Sequence, residues 1–505
     1  MRFSKINSLV LLITLIAFFL RVVNIKNNPP GFFADEASIG FSAYNLLMTG
    51  KDEYGQGFPL LFKALGEYKN PVFVYSSIPF IFAFGLSEFS VRLTAVVFGT
   101  LAIPLLFLVA RHIFSEKYAF IAALTLAIMP WHIHFSRIGF ELISFPTFFL
   151  FSWWLFLKGL KKSKYLYLSA VVWGITVYTY PVARLVVPIF LIALLIIYRK
   201  QIRRIDQVTS ILIFVLFYFP LFKFLTPEKG LLRWNEISLF ANSGNVTEFV
   251  DKFFTHYTSY FNPVYLFLKG EGGQVFRHSL SNFGLLYLWQ APLVIFSFIK
   301  PFRGRKRKEV VTLFLLLFLY PLGGALTFDS PVAGRSIIGV IPFAFLTAFG
   351  LKEAFAFTPK IFRRAWVILT PLIIVYLTIY LYAYHKIYPL YSAGYWGWQY
   401  GPKEIMSYFL ENKNYYDEML MEGKFNSEEI FLKFYDPQNI CEDKCKTFDN
   451  LAIFDSGKKQ LFAMSPELAQ RLLPAQKLEP LKIIKYPNSQ PAFIIGEIKT
   501  LKDTR

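Results

Sequence analysis

The sequence predicts an α-helical polytopic membrane protein with a small α/β domain at its C-terminal end. Hydrophobic residues make up 55% of the 505 positions, aromatic residues 19% and charged residues only 17%. The mean hydropathy is +0.44, and this composition is more apolar than a soluble core requires. The net charge of +20 is gathered in particular loops, which indicates membrane topology and not a nucleic-acid partner.

Eleven apolar segments are predicted to be transmembrane helices. Several are shorter than the roughly 20 residues that cross a bilayer untilted. The segments are residues 7–24, 91–110, 118–133, 142–157, 165–181, 184–198, 208–225, 284–299, 310–327, 332–351 and 366–384.

Basic residues indicate which ends of these helices face the cytoplasm. They cluster at every second connection, from Arg2 and Lys5 to the segments 300–308 and 352–364, and such clusters stay inside. With the N-terminus inside, eleven crossings place the loops 25–90 and 226–283, and all residues after 384, outside. The apolar segment 71–85 is predicted to lie in the outer interface, because an additional crossing there would invert every later basic cluster.

The first apolar segment is predicted to be a retained span of a multi-pass cell-membrane protein. A signal peptide is the alternative, but no small-residue cleavage site follows residues 20–24. The transmembrane domain is therefore predicted to cover residues 1–384.

Residues 385–505 are predicted to form a separate extracytoplasmic domain. Short apolar runs alternate with charged residues, a pattern typical of a small α/β domain. Its two cysteines, Cys441 and Cys445, are the only ones in the chain. We expect a disulfide, because an oxidising compartment favours one and the nearby sequence offers no further metal ligands. The whole sequence contains no Walker, Rossmann or HExxH motif that would indicate nucleotide or zinc chemistry.

The first outer loop carries the leading catalytic candidates, Asp35 and Glu36. They begin a stretch, residues 37–48, with apolar residues at helical spacing. Acids in a first helical turn can simply cap the helix, for which one acid suffices. The functional hypothesis is that Asp35 removes a proton from an acceptor hydroxyl, while Glu36 orients it or helps to hold a divalent cation.

Four basic residues at the outer ends of spans form a candidate phosphate site. The positive-inside rule does not explain them, and singly each is explained by snorkelling or by pairing with a carboxylate. Together they indicate an anion at the level of the lipid headgroups, since Arg and Lys both bind phosphate. They are Lys69, Arg137, Arg184 and Arg335.

Further candidates for substrate binding surround these cations. Glu67 and Tyr68 precede Lys69 at a chain reversal, and Glu141 follows Arg137 in the second outer turn. The two histidines of that turn are spaced by two residues, which disfavours a joint metal site on a helix.

An ordered set of short motifs resembles the integral-membrane glycosyltransferases of C-type fold. Within them the sequence is most similar to the protein O-mannosyltransferase, aminoarabinose transferase and RgtA/B/C/D-like group, over about residues 10–350. The motifs are Asp35-Glu36, Thr49-Gly50-Lys51-Asp52, Glu67-Tyr68-Lys69-Asn70-Pro71, Phe84-Gly85-Leu86-Ser87-Glu88, Val91-Arg92-Leu93 and Ser136-Arg137.

The resemblance implies a polyprenyl-phosphate-linked sugar donor and inverting direct displacement on the outer face of the membrane. It implies an acceptor hydroxyl or amine on a glycan, lipid or protein, as in the biosynthesis of cell-envelope glycans. The acid of the family's first loop corresponds to Asp35, with Glu36 beside it, and the cation on the lipid phosphate corresponds to Lys69. Glu141 matches the acid of the second outer loop only loosely. A later segment that begins with Arg277 and His278 is expected to help close the donor cavity.

A lipid-linked sugar transporter or flippase is the main alternative, and a sensor or scaffold is a further one. A transporter is expected to place ionisable groups near the bilayer midplane and to show related halves. Here charges crowd the outer ends, which favours the transferase. The aromatic segment 395–402 is suited equally to stacking on sugars and to anchoring at the interface.

Overall fold

The protein is mostly helical, with a small sheet near its C-terminal end, as predicted. The computed structural model describes residues 5–64, 66–224, 226, 232–271, 277–298, 307–357, 365–472 and 476–500. The predicted basic clusters at Arg2, 300–308 and 352–364 therefore lie wholly or partly outside the described residues.

The helices of the membrane part follow one another with short connections. They are α1 (Lys5–Val22), α2 (Ala34–Thr49), α3 (Pro71–Phe84), α4 (Glu88–Ile113), α5 (Glu116–Ile128), α6 (Pro130–Phe135), α7 (Ser144–Gly159), α8 (Ser163–Thr176), α9 (Ala183–Tyr198), α10 (Arg204–Tyr218), α11 (Leu232–Ile237), α12 (Val246–Ser259), α13 (Gln290–Phe296), α14 (Arg307–Leu319), α15 (Leu322–Ala325), α16 (Val340–Phe357) and α17 (Ala365–Tyr382).

Six helical segments among the described residues are long and apolar enough to cross a membrane. They overlap six of the eleven predicted spans, and several of the remaining ones coincide with shorter helices. The number eleven stays a prediction. The six are Lys5–Val22, Glu88–Ile113, Glu141–Gly159, Arg204–Phe224, Arg307–Ala325 and Ile337–Ala356.

The predicted span 284–299 is wrong as a continuous helix, because only Gln290–Phe296 is helical there. Backbone hydrogen bonds before it run to other segments: Leu286 N donates to Leu266 O at 2.8 Å, and Leu285 O accepts from Trp131 N at 3.1 Å. A run of apolar residues predicts burial, but it does not distinguish a helix from a packed loop.

The C-terminal part contains helices α18 (Tyr388–Ser392), α19 (Pro402–Asn412), α20 (Glu429–Tyr435) and α21 (Pro466–Ala469). Its strands are β3 (Glu418–Glu422), β4 (Cys445–Phe448), β5 (Gln460–Met464), β6 (Gln476–Lys485) and β7 (Pro491–Thr500), whereas β1 (Phe62–Ala64) and β2 (Glu67–Lys69) belong to the first loop. The order in the sheet is β4-β3-β5-β7-β6, with β3 parallel to both neighbours and the other pairs antiparallel. Cys441 and Cys445 are joined by a disulfide just before β4, with Cα atoms 5.7 Å apart.

The C-terminal part packs directly against the first loop. Gly31 has φ +81°, and a Cβ atom there would lie 2.4 Å from the carbonyl oxygen of Trp398. Phe434 of α20 packs against the ring of Phe32, with centroids 4.8 Å apart. The segment that leads into α2 is thereby held between the membrane helices and the C-terminal part.

Candidate active site

Asp35, Glu67 and Lys69 form a charged cluster at the start of α2. The Lys69 Nζ donates to Asp35 Oδ1 at 2.7 Å and also contacts the carboxylate of Glu67. Strand β2 carries Glu67 and Lys69 and pairs with β1 as a short hairpin. The side chain of Lys69 is 8% exposed, whereas that of Asp35 is 33% exposed. A buried cation therefore lies against a carboxylate that solvent or a substrate can reach.

The carboxylates keep Lys69 charged despite its burial. Burial alone lowers the pKa of a lysine, but the nearby charges of Asp35 and Glu67 outweigh burial and raise the pKa of Lys69 above its ordinary value. The ammonium group therefore stays protonated at every pH at which a membrane enzyme is handled. Lys69 is equipped as a fixed positive charge and not as a proton donor.

Glu36 lies beside Asp35 in sequence but faces the protein interior. Its carboxylate receives Arg92 Nε and Nη2, each at 2.9 Å, and both side chains are fully buried. It also accepts from the backbone N–H groups of Phe33 at 3.2 Å and Gly139 at 2.7 Å. The expected direct role of Glu36 in catalysis is corrected here: Glu36 caps α2 and ties it to α4, because successive helical residues point in different directions.

We expect Glu36→Gln to lower stability more than it affects chemistry. It would leave the buried Arg92 guanidinium without its counter-charge, which we expect to reduce the free energy of unfolding by about 3 kcal/mol. The measurement is the thermal midpoint in detergent. Glu116→Gln is the matched control, since Glu116 pairs with Arg111 at 3.2 Å in an exposed pair and surface pairs contribute little. Equal midpoints for both variants, with sugar transfer lost only in Glu36→Gln, would restore Glu36 to the catalytic group.

A second group, Asn70, Glu141 and Arg184, adjoins the first along the chain. The Glu141 carboxylate accepts from Asn70 N at 2.7 Å and from Asn70 Nδ2 at 2.6 Å. Arg184 Nη2 donates to Asn70 Oδ1 at 2.6 Å. Asn70 follows Lys69 directly, so these bonds fix the backbone that presents Lys69. Glu141 contacts the chain reversal itself, although a direct contact with substrate was expected.

Glu141→Ala is therefore expected to impair the presentation of Lys69. Loss of both acceptors should reduce kcat/KM for the donor by about tenfold, in proportion to the hydrogen bonds that are lost. Glu141→Gln keeps one acceptor oxygen and should lose less. If both variants lose equally, the charge of Glu141 matters and the positioning role is wrong. Steady-state kinetics with a lipid-linked donor distinguishes these results.

Arg277 approaches the cluster from the long outer loop, as its predicted role requires. Its guanidinium lies 4.0 Å from the centroid of the Phe33 ring, and Nη1 lies 3.4 Å from Trp396 O. Burial lowers the pKa of Arg277, and the charge of Asp35 acts in the opposite direction. His278 is turned elsewhere, with Nδ1 2.7 Å from Glu271 Oε1. His278 therefore belongs to the support of this loop in the described structure.

Two of the predicted phosphate ligands have other partners. Arg137 is buried and donates to four backbone carbonyls of the segment after α1, at 2.7 to 3.1 Å. The expectation that Arg137 binds phosphate is corrected, because its terminal nitrogens are already used. Arg335 pairs with Asp329 and donates to Thr327 Oγ1 at 2.7 Å. Pairing with a carboxylate was the simple alternative for each of these cations, and it applies to Arg335.

Tyr68 and Tyr180 complete the surroundings of the two groups. The Tyr68 ring packs edge-on against Phe224, with centroids 6.0 Å apart. Tyr180 lies close enough to Arg335, Glu141 and Glu67 to interact electrostatically with all three. Aromatic side chains thus border the charged cluster on the side of the spans.

A cation shared by Asp35 and Glu36 does not fit this geometry. Both Glu36 oxygens are bound by Arg92 and by backbone N–H groups, and Lys69 contacts Asp35. Across the part of the chain that the structure describes, no group of three or more His, Cys, Asp or Glu side chains is arranged to hold a metal ion.

The fold corresponds to that of solved membrane glycosyltransferases. ArnT from Cupriavidus metallidurans in the apo state matches with a TM-score of 0.55 at 14% identity, over 98% of each chain. The same protein bound to undecaprenyl phosphate gives 0.54 at 13% identity, over 97% of this chain and 98% of that one. The chain has the ArnT fold.

An archaeal relative and a family model agree with this assignment. The oligosaccharyltransferase of Archaeoglobus fulgidus matches with a TM-score of 0.56 at 13% identity, over 90% of this chain and 65% of that one. Residues 69–222 match the family model of dolichyl-phosphate-mannose-protein mannosyltransferases. No curated protein sequence matches the chain significantly. The fold class that the sequence resemblance implied is confirmed, and the helices and fold are those of a multi-pass membrane protein.

Sequence reasoning did not assign a role to Arg92 or to Asn70. Both lie within motifs of the resemblance, but the pairing of Arg92 with Glu36 spans 56 positions. A second buried charge opposite a buried Glu36 is required by the cost of an unpaired charge. The sequence contains that requirement, but it does not identify the partner.

Proposed function

We propose that this protein is an integral-membrane glycosyltransferase that moves a sugar from a polyprenyl-phosphate donor to an acceptor on the outer face of the membrane. The observation that carries the proposal is the contact between the half-exposed Asp35 and the buried ammonium of Lys69, 2.7 Å apart. Displacement at an anomeric carbon needs a base for the acceptor and a cation for the departing phosphate. The cluster supplies both within one contact.

In the proposed reaction the acceptor oxygen attacks the anomeric carbon of the donor from the side opposite the phosphate. The new C–O bond forms as the bond between the sugar and the phosphate oxygen breaks, and the electron pair leaves with polyprenyl phosphate. The acceptor proton passes to Asp35, and the anomeric configuration inverts. Lys69 and Arg277 stabilise the additional negative charge that develops on the phosphate.

The Asp35–Lys69 contact also suggests how the two substrates act in order. A donor phosphate competes with the carboxylates for the Lys69 ammonium, and each bond that it gains there weakens the hold of Lys69 on Asp35. A carboxylate released from its cation is a better acceptor for a proton. Binding of the donor would therefore prepare Asp35 for the acceptor.

The solved relatives support a lipid-phosphate donor. ArnT from Cupriavidus metallidurans has been solved with undecaprenyl phosphate, and AglB from Archaeoglobus fulgidus with an inhibitory peptide and a dolichol-phosphate. For this chain we propose a polyprenyl-phosphate hexose or pentose as donor, and a glycan, lipid or protein as acceptor. The proposal includes a cytoplasmic N-terminus, a transmembrane domain of residues 1–384 and an extracytoplasmic domain of residues 385–505.

The test is consumption of radiolabelled polyprenyl-phosphate sugars by the purified protein in nanodiscs. A panel of mannose, glucose, galactose, arabinose and aminoarabinose donors is incubated with a membrane extract of acceptors. Release of polyprenyl phosphate from at least one donor, together with transfer of label to the extract, is expected. If no donor is consumed while proteoliposomes move the lipid-linked sugars across the bilayer, the transporter alternative replaces the transferase.

A further inference from the structure

A cleft separates the turn at the start of the C-terminal part from the sheet domain behind it. One wall is formed by Gly394, Tyr395, Gln399 and Tyr400, and the other includes Lys424 and Tyr486. The empty space, measured out to its open mouth, is about 200 Å³. The cleft lies outside the charged cluster of Asp35 and Lys69 and plays no part in the displacement step.

Gln399 presents an unused amide in this cleft. The residue is 1% exposed, and neither its side-chain oxygen nor its side-chain nitrogen has a hydrogen-bond partner among the described residues. Buried amide groups in proteins are nearly always hydrogen-bonded, so an unsatisfied one indicates a missing partner. The missing partner must both donate and accept hydrogen bonds.

The backbone holds Gln399 in this unfavourable position. Its φ is +52°, in the left-handed region that non-glycine residues rarely adopt. Gln399 N donates to Gly394 O at 3.1 Å, and the next residue, Tyr400, donates from its N–H to Ala393 O at 2.9 Å. Strain of this kind persists where the surrounding structure fixes it, and it is concentrated at binding sites.

The chemistry of the walls favours a neutral sugar. The rings of Tyr400 and Tyr486 lie 6.2 Å apart at an angle of 49°, and tyrosine rings offer an apolar face to the C–H face of a sugar. Lys424, the cation of the cleft, already pairs with Glu467 at 2.8 Å, which reduces its attraction for an anion. An amide matches the alternating donors and acceptors of sugar hydroxyls.

The position of the cleft connects it to the candidate active site. The turn that carries Gln399 also carries Trp396, whose carbonyl lies 3.4 Å from Arg277 Nη1, and Arg277 stacks on Phe33 two residues before Asp35. On the same turn, Trp398 O lies against Gly31. A chain bound in the cleft therefore lies beside the loop that carries Asp35, on the side away from the membrane spans.

We infer that this cleft is a subsite for one neutral sugar unit of a glycan acceptor, bound by the Gln399 amide and the rings of Tyr400 and Tyr486. The inference rests on the proposed function in so far as the bound glycan is the acceptor. The cleft would then select glycans over short acceptors by holding a unit next to the one that is modified.

Binding of neutral trisaccharides to the full chain in nanodiscs tests the inference without any sugar transfer. The probes are maltotriose, mannotriose and chitotriose, and the readout is saturation-transfer NMR with titration. At least one probe should bind to the wild type, and Gln399→Leu should weaken that binding at least tenfold. Gln470→Leu is the matched control, because Gln470 is exposed in the same domain and its replacement should change nothing.

A second variant protects the test against a folding failure of Gln399→Leu. A Cβ atom at Gly394 meets no atom within 4 Å, so Gly394→Trp can fill the cleft without a clash at its first atom. It should also weaken binding at least tenfold. If none of the three probes binds to the wild type, or if both cleft variants bind as the wild type does, the inference is overturned and the amide is satisfied by trapped water.

Asp35→Asn separates the two proposals. It should bind the trisaccharide as the wild type does while consuming no donor. Donor consumption by the wild type without any effect of the cleft variants on trisaccharide binding would leave the transferase standing and remove the subsite. Loss of trisaccharide binding in the cleft variants, in a wild type that consumes no donor, would do the reverse.

Discussion

Asp35→Asn is expected to reduce kcat for sugar transfer by about 10³-fold, within the range typical of a lost general base. Asparagine keeps the size of the side chain and one oxygen that can accept from Lys69, but it cannot take the acceptor proton. The KM for the lipid donor should stay within a few fold of the wild-type value, because the phosphate ligands remain. The measurement is turnover of a labelled polyprenyl-phosphate sugar in nanodiscs.

Chemical rescue distinguishes a base from a merely structural carboxylate. Azide attacks as an anion and carries no proton that must be removed, so it should restore donor consumption in Asp35→Asn and yield a glycosyl azide. Glu53→Gln is the control in the same loop, since Glu53 pairs with Lys433 at 2.9 Å and not with the cluster. It should keep wild-type turnover. If Asp35→Asn retains more than a tenth of wild-type turnover, Asp35 is not the base.

The architecture could be predicted from the sequence because it depends on composition and period. Apolar runs, clustered basic residues and the mixed character of residues 385–505 are local properties, and they correctly indicated helices followed by a small sheet domain. The segment 284–299 shows the limit. It is as apolar as a span, but its first residues bond to Leu266 and Trp131, which lie far away in sequence.

The candidate site was predictable only as a set of residue types. Asp35 and Glu36 are adjacent acids, and nothing local decides which one faces the interior. Arg92 decides it, because it holds Glu36 through two 2.9 Å bonds and leaves Asp35 on the side of Lys69. The same limit applies to Arg137, whose guanidinium binds carbonyls after α1 that no local pattern connects with it.

The electrostatics of the site also depend on contacts between distant segments. Lys69 lies 34 positions after Asp35, and its burial without the two carboxylates would favour the neutral amine. The hairpin of β1 and β2 brings the groups together. Charge and position are thus determined by the same tertiary contact.

Lys69→Ala is expected to lower kcat/KM for the lipid donor by about 10³-fold, as expected when a cation that stabilises a departing phosphate is removed. Both the binding of the donor phosphate and the charge of the leaving group should suffer, so the affinity for the product polyprenyl phosphate should fall as well. Lys69→Arg keeps the charge and should lose less, although the planar guanidinium does not fit the position of a compact ammonium. Lys63→Ala is the matched control: Lys63 lies on β1 opposite Tyr68 in the same hairpin and is exposed.

A structural explanation for the loss in Lys69→Ala makes a different prediction. Without the ammonium, the carboxylates of Asp35 and Glu67 lie close together without a shared cation, and their repulsion destabilises the loop. The double variant Lys69→Met with Glu67→Gln removes this repulsion. It should recover the thermal midpoint of the wild type and remain inactive, because the phosphate still lacks its cation. Recovery of activity together with stability would show that Lys69 only neutralises the loop, and the phosphate would then have to depend on Arg277 and Arg184.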